Sequence, residues 1–165
     1  MKNMIHTAIA AASVALASSA FAAGSLSVSR EITVDRAPAT VWKLVGDFNA
    51  LDVWLPPVQR STFTGVPTRP GAVRVLELGD SARVTEKLTD YSSVHHRYSY
   101  AFIESPLPVK NYVATIELSA APEGKTLIKW HSTFDAHGAP DDKAREAIES
   151  IYDAGLAKVA AIFKQ

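Results

Sequence analysis

The chain is predicted to adopt an α+β fold, a curved antiparallel sheet of about seven strands wrapped around a long C-terminal helix, with two short helices after the first strand. Three observations predict it. Runs between residues 58 and 134 alternate apolar and polar side chains with a period of two, and only short turn-forming segments separate them. From Pro140 to Phe163 the apolar positions instead recur at helical spacing without a break. Ahead of both regions stand one alternating run and two short helical stretches.

The elements follow in order. Leu26 to Val34, "LSVSREITV", alternates Leu26, Val28, Ile32 and Val34 with polar partners, as a half-buried strand does. In "DRAPATVWKLVGDF" Asp35 is a plausible helix cap, Pro38 suits a first turn, and Val41, Trp42, Leu44 and Val45 make an apolar face. "NALDVWLPPV" is a short helix or turn ended by Pro56 and Pro57. Strands are expected at Val58 to Phe63, Ala72 to Leu78, Arg83 to Thr89, Val94 to Ile103, Tyr112 to Ser119 and Thr126 to Phe134. The turn signals "PTRPG", "GDS", "TDYSS", "SPLP" and "APEGK" lie between them, so the strands should form an antiparallel meander. Ala144, Ile148, Ile151, Leu156, Val159 and Ile162 then mark the long helix, roughly 35 Å at 1.5 Å per residue.

The first 22 residues read as a secretory leader outside the fold. Lys2 precedes an apolar run from Ala8 to Ala17, and Ala20-Phe21-Ala22 places small residues at −3 and −1, so cleavage is expected after Ala22. The alternative, an uncleaved anchor, meets a run that is short and alanine-rich for a span. The mature chain, residues 23–165, is then a single domain, periplasmic or secreted, with no membrane span after processing. Loss of Lys2 leaves 16 basic against 17 acidic residues, a balance that argues against nucleic acid or an anionic membrane as the main partner. No cysteine is present, which excludes disulfides, thiol catalysis and zinc–thiolate sites.

The segments "APATVWKLVGDFNALDVWLP", "GAVRVLEL", "RVTEKL", "SPLPVKNY" and "WHSTF", followed by the terminal helix, carry a resemblance. In this order and spacing they resemble the START and polyketide-cyclase-like superfamily of helix-grip proteins, and more narrowly the exported MxaD-like group. The resemblance covers essentially the whole mature chain. It implies a hydrophobic cavity closed by the terminal helix, in proteins that bind, carry or chemically alter apolar ligands. It does not fix one activity.

Strand alternation selects the side chains that face such a cavity. Tyr98, Tyr100, Phe102, Tyr112, Trp130 and Phe134 form an aromatic inward set. A packed core would use them equally well, although three inward tyrosine hydroxyls each need a partner. In "RVTEKL" alternation also puts Glu86 inside, between Val84 and Leu88, where a carboxylate must pair or shift its pKa upward. Arg74 on the preceding strand is the candidate partner, but Val73 and Val75 compete with Leu76 and Leu78 for the inside, so its direction stays open. A structural ion pair, a surface glutamate, a ligand anchor and a catalytic acid or base are all compatible with Glu86. Pro106 and Pro108 break strand pairing, so Leu107 and Val109 should project from a loop and, with Trp54, Leu55 and Pro56, form an apolar rim. The same residues would serve as a core plug or as a docking patch for a partner protein.

His95 and His96 are adjacent in an expected strand and so should point to opposite faces, no spacing of them with His131 and His137 resembles a metal site, and no G-x-S-x-G elbow or phosphate loop occurs. No cofactor is expected. The favoured function is binding of a small apolar or amphipathic molecule without catalysis. The narrower resemblance implies an alternative, an accessory protein to a periplasmic quinoprotein (methanol-type) dehydrogenase. A third reading is a cyclase, dehydratase or hydrolase whose acid and base would come from Glu86, His96, Tyr98, Tyr100 or Tyr112.

Overall fold

The computed structural model describes residues 24–164; the leader-like segment and its cleavage site lie outside the described residues. Seven strands form one antiparallel sheet: β1 (Leu26–Val34), β2 (Val58–Thr64), β3 (Val73–Leu78), β4 (Arg83–Ser92), β5 (Arg97–Glu104), β6 (Val109–Ala121) and β7 (Lys125–Ala136). Two short helices, α1 (Pro38–Val45) and α2 (Leu51–Trp54), follow β1, and a 23-residue helix, α3 (Asp141–Phe163), ends the described chain. The strand order is β1-β7-β6-β5-β4-β3-β2, so β2 to β7 form a meander and β1 joins it beside β7. This is the curved sheet, long C-terminal helix and pair of early helices that the sequence predicts.

Helix α3 lies across the concave face and buries Ala144, Ile148, Tyr152, Gly155, Leu156 and Val159, one stripe at spacings of three and four. The Tyr152 ring stacks on Trp130 of β7 with centroids 4.1 Å apart, and Trp54 of α2 meets Trp130 edge-on at 5.4 Å. Gly155 permits that approach, because a Cβ there would stand 2.9 Å from the Trp130 ring and 3.1 Å from Leu55. Outside the core, Arg30 of β1 reaches Glu149 and Asp153 of α3 at 3.1 and 3.0 Å, and Arg145 donates to the Ser27 carbonyl.

Four local expectations are corrected. Ala37, not Asp35, caps α1: its carbonyl accepts from Thr40 and Val41, and no side-chain cap forms. The proline ring of Pro38 holds Ala37 in extended backbone, which sets the helix boundary there. Strand β5 starts at Arg97 rather than Val94, because residues 93–96 form the hairpin turn, with His96 at φ 46° and Val94 82% exposed. His95 and His96 thus sit in a turn and not on opposite faces of a strand. Finally, Val109 belongs to β6, opposite Ala136 of β7, and not to the preceding loop. A bulge between Lys110 and Val113, with Asn111 at φ 53°, inserts a residue into β6. Strict alternation back from Tyr112 would turn Val109 outward; the bulge turns it in.

Candidate functional site

The internal polar feature is built by register. Arg74 of β3 stands directly opposite Glu86 of β4, and both side chains point to the concave face, Arg74 0% and Glu86 3% exposed. Arg74 shares its parity with Leu76, while Val73 and Val75 stay half-buried on the other face. Its Nε donates to Glu86 Oε2 and its Nη1 to the Phe48 carbonyl. The guanidinium carbon lies 4.1 Å from the centre of the Phe48 ring and 5.0 Å from that of Tyr100, cation–π contacts that compensate part of its lost hydration. Burial raises the Glu86 carboxyl above its ordinary value, opposed by the Arg74 charge and hydrogen bond. Burial would lower the Arg74 pKa, but Glu86, with Tyr98 and Tyr100, outweighs it and holds the guanidinium charged.

Beside this pair lies a cavity of about 50 Å³ between sheet, α2 and α3. Leu76, Leu78, Val84 and Glu86 form one wall, Tyr100, Phe102, Tyr112 and Trp130 the other. Ile148 and Ile151 of α3 cover it, and Leu51, Leu55, Pro57, Val58 and Leu107 close its end. Glu86 is the charged residue on this otherwise apolar and aromatic lining. The Trp130 indole donates to the Tyr100 hydroxyl at 3.0 Å, and the Tyr112 and Tyr152 hydroxyls share a hydrogen bond of 2.5 Å. Of the three inward tyrosines, Tyr112 thus pairs with Tyr152 and Tyr100 with Trp130, while the buried Tyr98 hydroxyl finds no hydrogen-bond partner of standard geometry.

Of the residues expected at the cavity, Glu86, Tyr100, Phe102, Tyr112 and Trp130 border it, as do Leu55 and Leu107 at its end. Arg74 sits behind Glu86 and does not border it. Tyr98 lies deeper, edge-on to Phe48 at 6.0 Å, and Phe134 is wholly buried beyond Tyr112. Trp54 is buried against Trp130, Val109 is held in the β6 ladder, and Pro56 faces solvent while Pro57 takes its place on the lining. Sequence reading missed Tyr152, whose spacing of four residues from Ile148 and Leu156 marks the inward face of α3.

Chemically the lining offers a hydrogen-bond acceptor more than a base. Burial pushes Tyr98 up to about 12 and raises Tyr100, Tyr112 and Tyr152 above the ordinary phenol value, so these phenols keep their protons at neutral pH. His131 is half-buried on the opposite face of β7, away from the cavity. Among the described residues no cluster of three His, Asp or Glu is placed to hold a metal ion, and no helix is long and apolar enough to cross a membrane.

The fold has close structural relatives. XoxI from Bacillus cereus is 28% identical, with a TM-score of 0.79 over 84% of this chain and 96% of its own. An uncharacterized protein from Bacillus thuringiensis gives the same score at 28% identity, over 85% of this chain and 100% of its own. A solution structure from Thermobifida fusca is 29% identical with a TM-score of 0.74, covering 83% and 92%. No curated protein matches the sequence. The model of the family described as "Polyketide cyclase / dehydrase and lipid transport" matches residues 25–164, which is nearly all of the described chain and includes every residue of the cavity, and the protein belongs to that family.

Proposed function

We propose that the protein is a non-catalytic binding protein for a small apolar or amphipathic molecule, held between the sheet and α3 with Glu86 orienting its polar end. The observation that carries this reading is a single charged side chain on the wall of an apolar cavity between the sheet and the helices. Family membership supports it, since that family is described by lipid transport as well as by cyclase and dehydrase activity. Catalysis has less behind it: Arg74 ties up one Glu86 oxygen, and the tyrosines are poor bases at neutral pH. The leader-like residues 1–22 favour export to the periplasm or beyond. Assistance to a periplasmic quinoprotein dehydrogenase, the role suggested by the MxaD-like likeness, rests on sequence resemblance alone.

Native mass spectrometry of the protein purified from its own cells tests the reading. A reproducible extra mass that leaves as a small molecule on denaturation is the expected result. A clean apo mass, with a dehydrogenase co-purifying at fixed stoichiometry, would overturn it in favour of the accessory role.

A further inference from the structure

The Arg74–Glu86 pair shows the cavity only one of its two members. Glu86 borders the space, whereas Arg74 is fully buried behind it, its guanidinium engaged by Glu86, the Phe48 carbonyl and the rings of Phe48 and Tyr100. A molecule entering therefore meets a carboxylate and not a guanidinium. A carboxylate offers about four lone-pair sites, and Arg74 occupies one through Oε2, so acceptor capacity remains toward the cavity.

We propose that the cavity selects ligands whose polar end is a neutral hydrogen-bond donor, an alcohol or a phenol, and rejects both carboxylates and ammonium ions. This rests on the small-molecule reading above and deepens it. A carboxylate head would stand against Glu86 as a like charge inside an apolar wall, a costly arrangement. An ammonium head would find Glu86 already neutralised by Arg74, so it would add an uncompensated buried charge beside a guanidinium. A hydroxyl brings one donor and no net charge, which is what an acceptor within a neutral pair can satisfy. The remaining polar atoms on the wall do not alter this. The Tyr112 hydroxyl is shared with Tyr152, and the Tyr100 hydroxyl accepts from Trp130 with its own proton left to donate, which the oxygen of an alcohol can accept without bringing charge. The volume adds a size limit: about 50 Å³, at roughly 10–15 Å³ for each water-sized group, holds only about three to five such groups, so a ring with a short substituent already requires the lining to yield and a long acyl chain far more.

The test is a comparison of four probes of one shape, benzyl alcohol, toluene, benzylamine and benzoate, titrated into the full chain at pH 8 and followed by NMR shifts of residues lining the cavity. Benzyl alcohol is expected to bind about tenfold more tightly than toluene, the worth of one hydrogen bond to a charged acceptor. Benzylamine and benzoate should bind more weakly than toluene. Equal binding of toluene and benzyl alcohol, or binding of either charged probe as tight as the alcohol's, would overturn the selection while leaving the cavity reading intact. If none of the four shifts those residues, the small-molecule reading itself fails and the selection falls with it. The double variant Arg74→Met/Glu86→Met should keep toluene binding and lose the preference for alcohol; a retained preference would again overturn the proposal. Because the wild-type series decides by itself, the outcome does not depend on the variant folding.

Discussion

At the scale of single residues, Arg74 and Glu86 are stable only together. Arg74→Met would leave the Glu86 carboxylate buried without its partner, and such breaks cost about 3–5 kcal/mol at neutral pH. The cost depends on pH, and its sign follows from the direction of the shift. Burial raises Glu86 in the folded state and Arg74 opposes the rise, so removing Arg74 raises the folded value further. A group raised on folding contributes stability that is complete below its unfolded pKa and is lost as pH rises through its folded pKa. Urea unfolding of Arg74→Met should therefore show its smallest deficit near pH 4 and a growing one toward pH 8. Adding Glu86→Met should restore stability at pH 8 to the wild-type level or above, because apolar replacement of a whole buried pair is neutral to favourable. A deficit independent of pH would show that the loss is one of packing and not of charge.

At the scale of elements, α3 is placed by one missing side chain. Gly155→Ala would improve helix propensity by about 1 kcal/mol, yet its Cβ would press on the Trp130 ring at 2.9 Å. Overpacking of this kind costs about 1–3 kcal/mol, so we expect a net loss of about 1 kcal/mol of stability, read as a lower urea midpoint. A gain would mean that Trp130 and Leu55 can shift, and with them the wall of the cavity. The elements themselves were legible in the sequence where one period ran unbroken: β1 begins and ends at the predicted residues, and α3 departs from its predicted span by a single residue. Legibility failed where a local device interrupts the period. The bulge at Asn111 reverses the parity of β6, which hid Val109 in the core, and the four-residue turn before Arg97 borrowed a β-branched residue, Val94, that read as strand. Neither device is visible in hydrophobicity, since each depends on one residue adopting positive φ.

At the scale of the molecule, cavity and core compete for the same side chains. Alternation could say that Tyr98, Tyr100, Phe134 and Trp130 face inward, but not which of them touch empty space, because that depends on how α2 and α3 lie over the sheet. Trp54 illustrates the point: its place in the α2 segment suggested an exposed rim, and packing against Trp130 buried it instead. Ligand binding should register across the whole fold, since the cavity is lined from α2, α3 and several strands together. A bound molecule at about one hundred times its Kd should raise unfolding stability by roughly 2.7 kcal/mol, read as a higher thermal midpoint that scales with the logarithm of ligand concentration. A midpoint unmoved by any ligand that binds would place the site outside the cooperative core.

The strand order carries a consequence in time. Strand β1 is the first of the described elements to be built, yet its hydrogen-bonded neighbour is β7, so that Leu26 waits for Phe134. At synthesis rates of about 5–20 residues per second, the opening strand spends roughly 5–20 s with its edge unpaired. The partner that covers it across the face, α3, emerges later still. The sheet therefore closes last at the seam beside its first strand, and a nascent chain stays open along that seam until β7 and α3 have both been made.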